Sequence, residues 1–441
     1  NYHTDFSDFI NKIRMELSVE SGTLDARSIH ALGGIPETPV ALEMGKSHAK
    51  GYVNDLQIDR LRFTEPSSGI AADLSATLTG IPDIQNLLTD VKVGNLTFTT
   101  SGLQRLLAKF GVKADLSGMA PGRMFSFSGS AKGPLGNLKA NGSLGSKIGR
   151  AAFSLGIRNL TDARRPLELR GTVDTHNLGL GELLSVKEIG EVTAETGFRA
   201  TLGKNGPQVS VDSLLIDKFG LMGYEYTGMR AEGTYDGSDI DGRIICGDPN
   251  LNFLLMGRIN PAKTAMNING YLGYADLQAM NIDRRGRSRV SGSVSADFSS
   301  LDSGTLTIGG FTVENELGRK NIGDIVLEST FSGDNHMVAL KSDFAEMEYF
   351  GNHAVTDLAA YLQDITVKRE LSAVYPAMSR SSGKGNLRCD LSLDLKDSRD
   401  LLSYLMPGLY VADASKVSLQ VDDAGSLTSS IQSSLLVWNS N

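Results

Sequence analysis

The chain has 441 residues, with 43 Lys and Arg against 51 Asp and Glu and a net charge of −8. That balance argues against a nucleic-acid-binding domain, which carries a basic excess, and 40% hydrophobic residues are too many for a disordered chain. Its 49 Gly and 12 Pro compare with about 31 and about 22 expected from average usage, and no run of eighteen apolar residues is present to cross a bilayer as a helix.

Taken in chain order, Phe6, Phe9, Ile10 and Ile13 predict a short helix, and Leu103, Leu106, Leu107 and Phe110 predict another. Ser101 with Gln104 reads as its capping box. Strict alternation then begins: Phe125-Ser126-Phe127-Ser128, Leu167-Glu168-Leu169-Arg170, Val209-Ser210-Val211-Asp212, Met266-Asn267-Ile268-Asn269 and Leu306-Thr307-Ile308. It is clearest from Leu387 to Leu395. A period of two predicts strands with one apolar and one wet face. Asn141-Gly142, Asn205-Gly206, Asp236-Gly237, Asp241-Gly242 and Asn269-Gly270 read as hairpin turns. Short Leu-rich helical pieces are expected around 180–189, 277–282, 355–365 and 401–406, as plugs rather than a second layer.

The recurrence of strands closed by such pieces suggests loose repeat units, about 1–120, 121–285 and 286–441, without linkers between them. Both ends, Asn1-Tyr2-His3 and the strand-like Leu435-Leu436-Val437-Trp438, are expected to be cuts within a longer protein.

Catalytic signatures are missing. The six histidines (His3, His30, His48, His176, His336, His353) lie apart, and no HExxH, CxxC or GxSxG occurs. Gly45-Lys46-Ser47 lacks the glycine a phosphate loop needs at position 40, which is Val40. Cys246 and Cys389 have no metal-ligand spacing and read as buried small apolar residues. Asp390 and Asp394 share a wet strand face, so a glycosidase pair is conceivable there, but no pair is singled out. The expectation is a non-enzyme with no cofactor and no metal.

Alternation that continues without a domain boundary, with few helices to cover it, predicts a long antiparallel sheet curled around its apolar face. Roughly 25 to 30 strands at ~4.8 Å each would make a trough on the order of 120–140 Å long. The Gly excess suits the kinks that such curvature needs. An apolar strip of that size calls for an occupant, and lipid acyl chains fit, each buried CH₂ contributing ~0.8 kcal/mol. Ordinary closed sandwiches are the competing arrangement.

The runs GYEYTGMRAEGTYDG (Gly223–Gly237), DPNLNFLLMG (Asp248–Gly257) and YADLQAMNI (Tyr274–Ile282) resemble the middle of TamB-like proteins of Bacteroidota, within the wider AsmA-like group. Phe125–Leu144 and Arg289–Ile308 resemble the recurrent strand–turn–strand units of the same proteins, and the likeness runs from about Asp73 to Val421. It implies an all-β, elongated antiparallel β-taco, or repeating β-groove, with a few short helices. It also implies a periplasmic location, an inner-membrane anchor and an outer-membrane TamA-like barrel partner, through segments outside this stretch. The function implied is a bridge conducting phospholipid between the two membranes, or alternatively a scaffold for outer-membrane protein translocation and assembly. In the lipid reading the inward residues line the groove: Phe125, Phe127, Phe153, Leu155, Val209, Val211, Phe253, Leu255, Met266, Ile268, Leu306, Ile308, Leu391 and Leu393.

Overall fold

A computed structural model describes residues 8–25, 40–81, 83, 86–109, 116, 118–120, 122–162, 164–203, 206–283, 286–333, 335–354, 387–406, 408–422 and 426–438. The chain forms two compact units, Asn1–Gly237 and Ser238–Asn441.

Unit 1 opens with the one-turn helix α1 (Phe9–Lys12) and the short strands β1 (Met15–Val19), β2 (Gly22–Asp25), β3 (Ala41–Met44) and β4 (Ser47–Gly51). Longer elements follow: β5 (Asp55–Glu65), β6 (Ile70–Thr79), β7 (Leu88–Thr99), helix α2 (Thr100–Lys109), β8 (Met124–Pro134), β9 (Asn137–Ser146) and β10 (Gly149–Arg158). β11 (Leu167–Gly179), helix α3 (Leu180–Leu184), β12 (Ile189–Gly203), β13 (Gly206–Leu221) and β14 (Tyr224–Tyr235) complete it.

Unit 2 contains β15 (Ile240–Asp248), β16 (Leu251–Asn260), β17 (Ala265–Asp276), β18 (Arg289–Ser300), β19 (Ser303–Asn315), β20 (Gly318–Ser332), β21 (Asn335–Ser342) and β22 (Ala345–Gly351). Beyond these come β23 (Cys389–Leu395), helix α4 (Arg399–Leu405), β24 (Leu409–Val411), β25 (Ser415–Val421), β26 (Leu427–Gln432) and β27 (Leu436–Trp438).

Twenty-five strands lie in antiparallel sheet, and β24 with β27 forms a separate small ladder. From β5 to β14, and again from β15 to β23, each strand pairs with the next in the chain; β23 then pairs with β25, and β25 with β26. Among the described residues nothing joins the two ends of either run, so the sheet is open. The expected class, all-β and antiparallel with a few short helices, is the class observed.

Alternation explains the strands, and burial shows which way they face. In β8 the odd-numbered residues from Phe125 to Ala131 are sheltered while Met124, Ser126 and Ser128 are exposed. Register carries the same face onward: Phe127 opposes Leu144, Leu144 opposes Ala151, and Phe153 opposes Val173. A flat sheet exposes both faces equally, so consistent half-burial of the apolar face means each run of strands curves around it. Bulges supply the bend. They fall between Thr175 and Leu178, Val211 and Leu214, Leu272 and Ala275, and Ile308 and Phe311.

Antiparallel alternation sends every second connection to the same edge. In unit 1 that edge carries α2 and α3; in unit 2 it carries the 277–282 turn and α4. At this edge Leu183 of α3 packs, with Phe98 and Leu144, against the buried Ala120, Phe125 and Ile148, and Tyr404 of α4 is buried with Val313 and Ile322, against which Leu401, Val290 and Phe311 pack. A Ser288–Tyr404 hydroxyl hydrogen bond pins α4. Within their units α2, α3 and α4 are therefore plugs at one edge. At the opposite edge inner-face side chains stay open, with Leu202 42% and Ile240 45% exposed.

Several local expectations need correction. Asn141-Gly142, Asp241-Gly242 and Asn269-Gly270 are not turns; they lie within β9, β15 and β17. Their glycines face inward, those of β9 and β17 beneath bulky neighbours. A Cβ on Gly142 would meet Phe127 Cζ at 2.8 Å and Phe153 Cζ at 2.9 Å, and Leu255 lies over Gly270. Close approach, not a positive φ, is what demands glycine there. The Asp236-Gly237 turn does join β14 to β15, and Gly206 opens β13 directly after the β12–β13 hairpin, with φ of +95°. The cap of α2 is Thr99, whose Oγ1 accepts from the Gly102 N–H at 3.0 Å, while Gln104 Oε1 accepts from Leu116 N–H at 3.2 Å. The 277–282 stretch is a turn, not a helix, ending at Asn281 with φ of +62°. The helix expected at 355–365 lies outside the described residues.

The rings of Phe127 and Phe153 stack across Gly142, 5.9 Å between centroids. Gly142→Val is expected to destabilise unit 1 by about 1–3 kcal/mol, the usual range for overpacking, read as an earlier denaturation midpoint. An unchanged midpoint would mean the rings yield freely.

Candidate functional site

The fourteen residues expected to line a groove fall on one face within each unit. In unit 1, Phe125 and Phe127 (β8), Phe153 and Leu155 (β10) and Val209 and Val211 (β13) are linked through inner-face partners: Leu155 opposes Gly171, Gly171 opposes Phe198, and Phe198 opposes Val211. In unit 2 one row of directly opposed residues runs Gly257, Ile268, Ala296, Leu306, Leu327, Leu340, Met347, Leu393, Val417 and Ile431. A second passes Ile259, Met266 and Phe298 and reaches Tyr349, Leu391 and Leu419. Phe253 and Leu255 sit two and one pleats from Gly257 and join the same face through Leu272 and Gly270, and Ile308 opposes Val294.

These residues are not equally open. Thirteen are half-buried, neither sealed in a core nor bare to water. Phe125, 4% exposed, is instead the seat of the α3 plug, stacked on Phe98 at 5.8 Å. Leu391 is packed against a sealed cluster of Val338, Tyr349, Leu387, Cys389 and Val421. Inner-face residues that the alternating tetrads did not single out, such as Val173, Phe198, Ile216, Val294 and Leu327, belong to the same surface; only register assigns them.

Small residues interrupt each row. Gly129 faces Gly142, Gly242 faces Gly257, and Gly270 faces Val294. Side chains from neighbouring strands lean over several of these glycines, which smooths the wall.

Cys246 and Cys389 both face inward, buried and in no disulfide. Burial pushes both thiols up, which keeps them protonated and unreactive at neutral pH.

The polar face is shaped differently. Several clefts open on it. One of about 610 Å³ in unit 2 brings Glu328, Glu348 and Asp390 together with Met337 and Phe350. Asp394, the neighbour of Asp390 on the strand, is instead held by Lys416 at 2.9 Å. Two clefts in unit 1, of about 470 and about 380 Å³, are lined by Arg150, Asp174 and His176 and by Lys139, Arg158, Arg170 and Arg199. Among the described residues no group of three or more His, Cys, Asp or Glu side chains is placed to hold a metal ion, and no helix is long and apolar enough to cross a membrane.

Comparison of the chain with protein-family models, with curated proteins and with solved structures returns no match. The likeness to TamB-like proteins therefore stands on the residues quoted above.

Proposed function

We propose that the chain is a conduit for phospholipid acyl chains, which lie along the half-sheltered apolar face while their headgroups remain in water. The observation that carries this reading is the unbroken inner-face row of unit 2, from Gly257 to Ile431, which crosses ten strands without a charged side chain. Contact with such a surface is apolar and has no register along the strands, so a bound tail can slide from strand to strand. A sixteen-carbon tail buried there gains on the order of 12 kcal/mol. The plugged edge keeps tails from slipping out on one side, and the opposite edge leaves an outlet for headgroups. Placed by its resemblance, the conduit belongs to the periplasm, anchored in the inner membrane and meeting an outer-membrane TamA-like barrel. Glycerophospholipids are the proposed cargo.

Lipid extraction and native mass spectrometry of the purified chain test this directly. Phospholipid is expected to co-purify in more than one copy; a chain that purifies free of lipid and takes none up from vesicles would end the proposal.

A second reading, a scaffold for outer-membrane protein assembly, is favoured by one feature. Among the described residues β26 is paired on one side only, with Ile431 67% exposed, and an open edge can template an added strand. Crosslinks from β26 to client strands, without lipid, would support it over the conduit.

A further inference from the structure

The polar face of unit 1 carries an arrangement that the lipid reading does not use. Two adjacent rows cross β9, β10, β11 and β12. One places Lys139, Gly156, Arg170 and Arg199 directly opposite one another, and the next places Asn137, Arg158, Glu168 and Thr201. Gly156 contributes no side chain, so the first row has a gap between Lys139 and Arg170. These residues line the open cleft of about 380 Å³.

Charge is the unusual feature. Arg170 and Arg199 are like charges at directly opposed cross-strand positions, an arrangement that costs a sheet stability. Arg199 is satisfied, donating from Nη2 to both oxygens of Asp212 at 2.7 and 2.9 Å. Lys139, Arg158 and Arg170 have no carboxylate partner within 4 Å among the described residues. Glu168 is the one carboxylate of the lining; counting it and Asp212 against the four cations leaves two positive charges in excess. In a chain of net charge −8, where several polar-face cations pair with carboxylates (Arg60 and Arg62 with Asp73, Lys132 with Asp90), three unpaired cations gathered in one cleft are a local conflict. Such conflicts are expected at functional sites.

We infer that this cleft binds a phosphate-type anion, with Lys139, Arg158 and Arg170 as its ligands. Guanidinium forks match the paired oxygens of a phosphate group, the gap at Gly156 gives the anion room to reach the strand surface, and a bound dianion would cancel the excess charge. The inference goes beyond the conduit reading and holds whether or not the apolar face carries lipid. Two sources share this chemistry, a soluble phosphate and a phospholipid headgroup.

The test uses the full chain, calorimetric titration with inorganic pyrophosphate, and flotation with phosphatidylcholine vesicles containing or lacking phosphatidylglycerol. The variants are R170Q, the double R158Q/R170Q, and K341Q in unit 2 as a control whose charge change equals that of R170Q. Pyrophosphate binding by the wild type and K341Q, weakened at least tenfold in the double variant, supports the soluble source. Flotation with phosphatidylglycerol vesicles alone, lost in the double variant and kept in K341Q, supports the headgroup. Binding of neither, equal binding by the double variant, or equal loss in K341Q overturns the inference. R170Q removes a like-charge neighbour and is expected to melt no earlier than the wild type, so its reduced binding reads the site without a folding defect.

Discussion

Ile268→Arg is expected to leave the chain folded and to slow phospholipid transfer between vesicles by on the order of a hundredfold. Ile268 is flanked on the inner face by Gly257 and Ala296, so a longer side chain has room to lie along the wall. What it cannot do is pair with an acyl chain. A charge in a hydrocarbon setting costs about 2.5–3.5 kcal/mol, and 1.36 kcal/mol is a factor of ten in rate. The measurement is transfer of a fluorescent phospholipid between donor and acceptor vesicles, with circular dichroism to confirm the fold. Normal transfer by a folded variant would remove the conduit from consideration. Leu391→Asp makes a less clean test, because Leu391 packs against the buried cluster around Tyr349; it is expected to lower stability as well as transfer.

Glu65→Gln is expected to destabilise unit 1 by about 3 kcal/mol at neutral pH. Glu65 is 2% exposed at the turn between β5 and β6. Burial pushes its carboxyl up, but hydrogen bonds from Ser67 Oγ at 2.6 Å, the Ser68 N–H at 2.6 Å and Lys109 Nζ at 2.9 Å together outweigh burial. The net result is a carboxyl lowered to about 2 from its ordinary 4.5. Each unit of such a shift is worth about 1.4 kcal/mol of folding free energy. The contribution is complete above about pH 4.5, where the unfolded carboxyl is also ionised, and is lost as pH falls towards about 2. Denaturation of the wild type should therefore weaken across that window, while the Gln variant, already lacking the contribution, should change less. Parallel acid curves for the two proteins would mean that Glu65 does not hold α2. Because Arg105 Nε also donates to Ser67 O at 3.1 Å, α2 is anchored to this turn twice, and hydrogen exchange in α2 should rise in the Gln variant.

Much of this architecture is legible in the chain itself. Period-two runs such as Leu387–Leu395 and Val209–Asp212 dictate strands with one wet face, because successive side chains on an extended backbone must point opposite ways. The Leu-rich pieces around 180–189 and 401–406 announce short helices, because apolar positions three and four apart share one helical face; the helices observed are Leu180–Leu184 and Arg399–Leu405, while the similar piece at 277–282 forms a turn. Parity likewise puts the lining residues of each strand, such as Phe125 with Phe127 or Met266 with Ile268, on one side, and register then joins those sides from strand to strand.

The glycines were misleading at sequence level. Asn-Gly before an apolar run looks the same whether the glycine bends the chain or lies flat under a ring, and only the stacking of Phe127 and Phe153 tells the two apart at Gly142. The cap of α2 failed for a similar reason, since Thr99 and Ser101 are both competent acceptors and the register of β7 decides which begins the helix. Partners distant in sequence were also invisible. Nothing near Arg170 predicts Arg199 opposite it, and nothing near Glu65 predicts Lys109, because cross-strand neighbours are set by hairpin lengths and bulges rather than by local composition. By itself, then, the order of residues determined that this protein is an alternating antiparallel sheet with an apolar and a polar side, since that follows from backbone geometry. Which edge is plugged, which lining residues are sealed and where cations cluster unpaired were decided only by tertiary structure, since each depends on the register in which strands far apart in the chain are brought together.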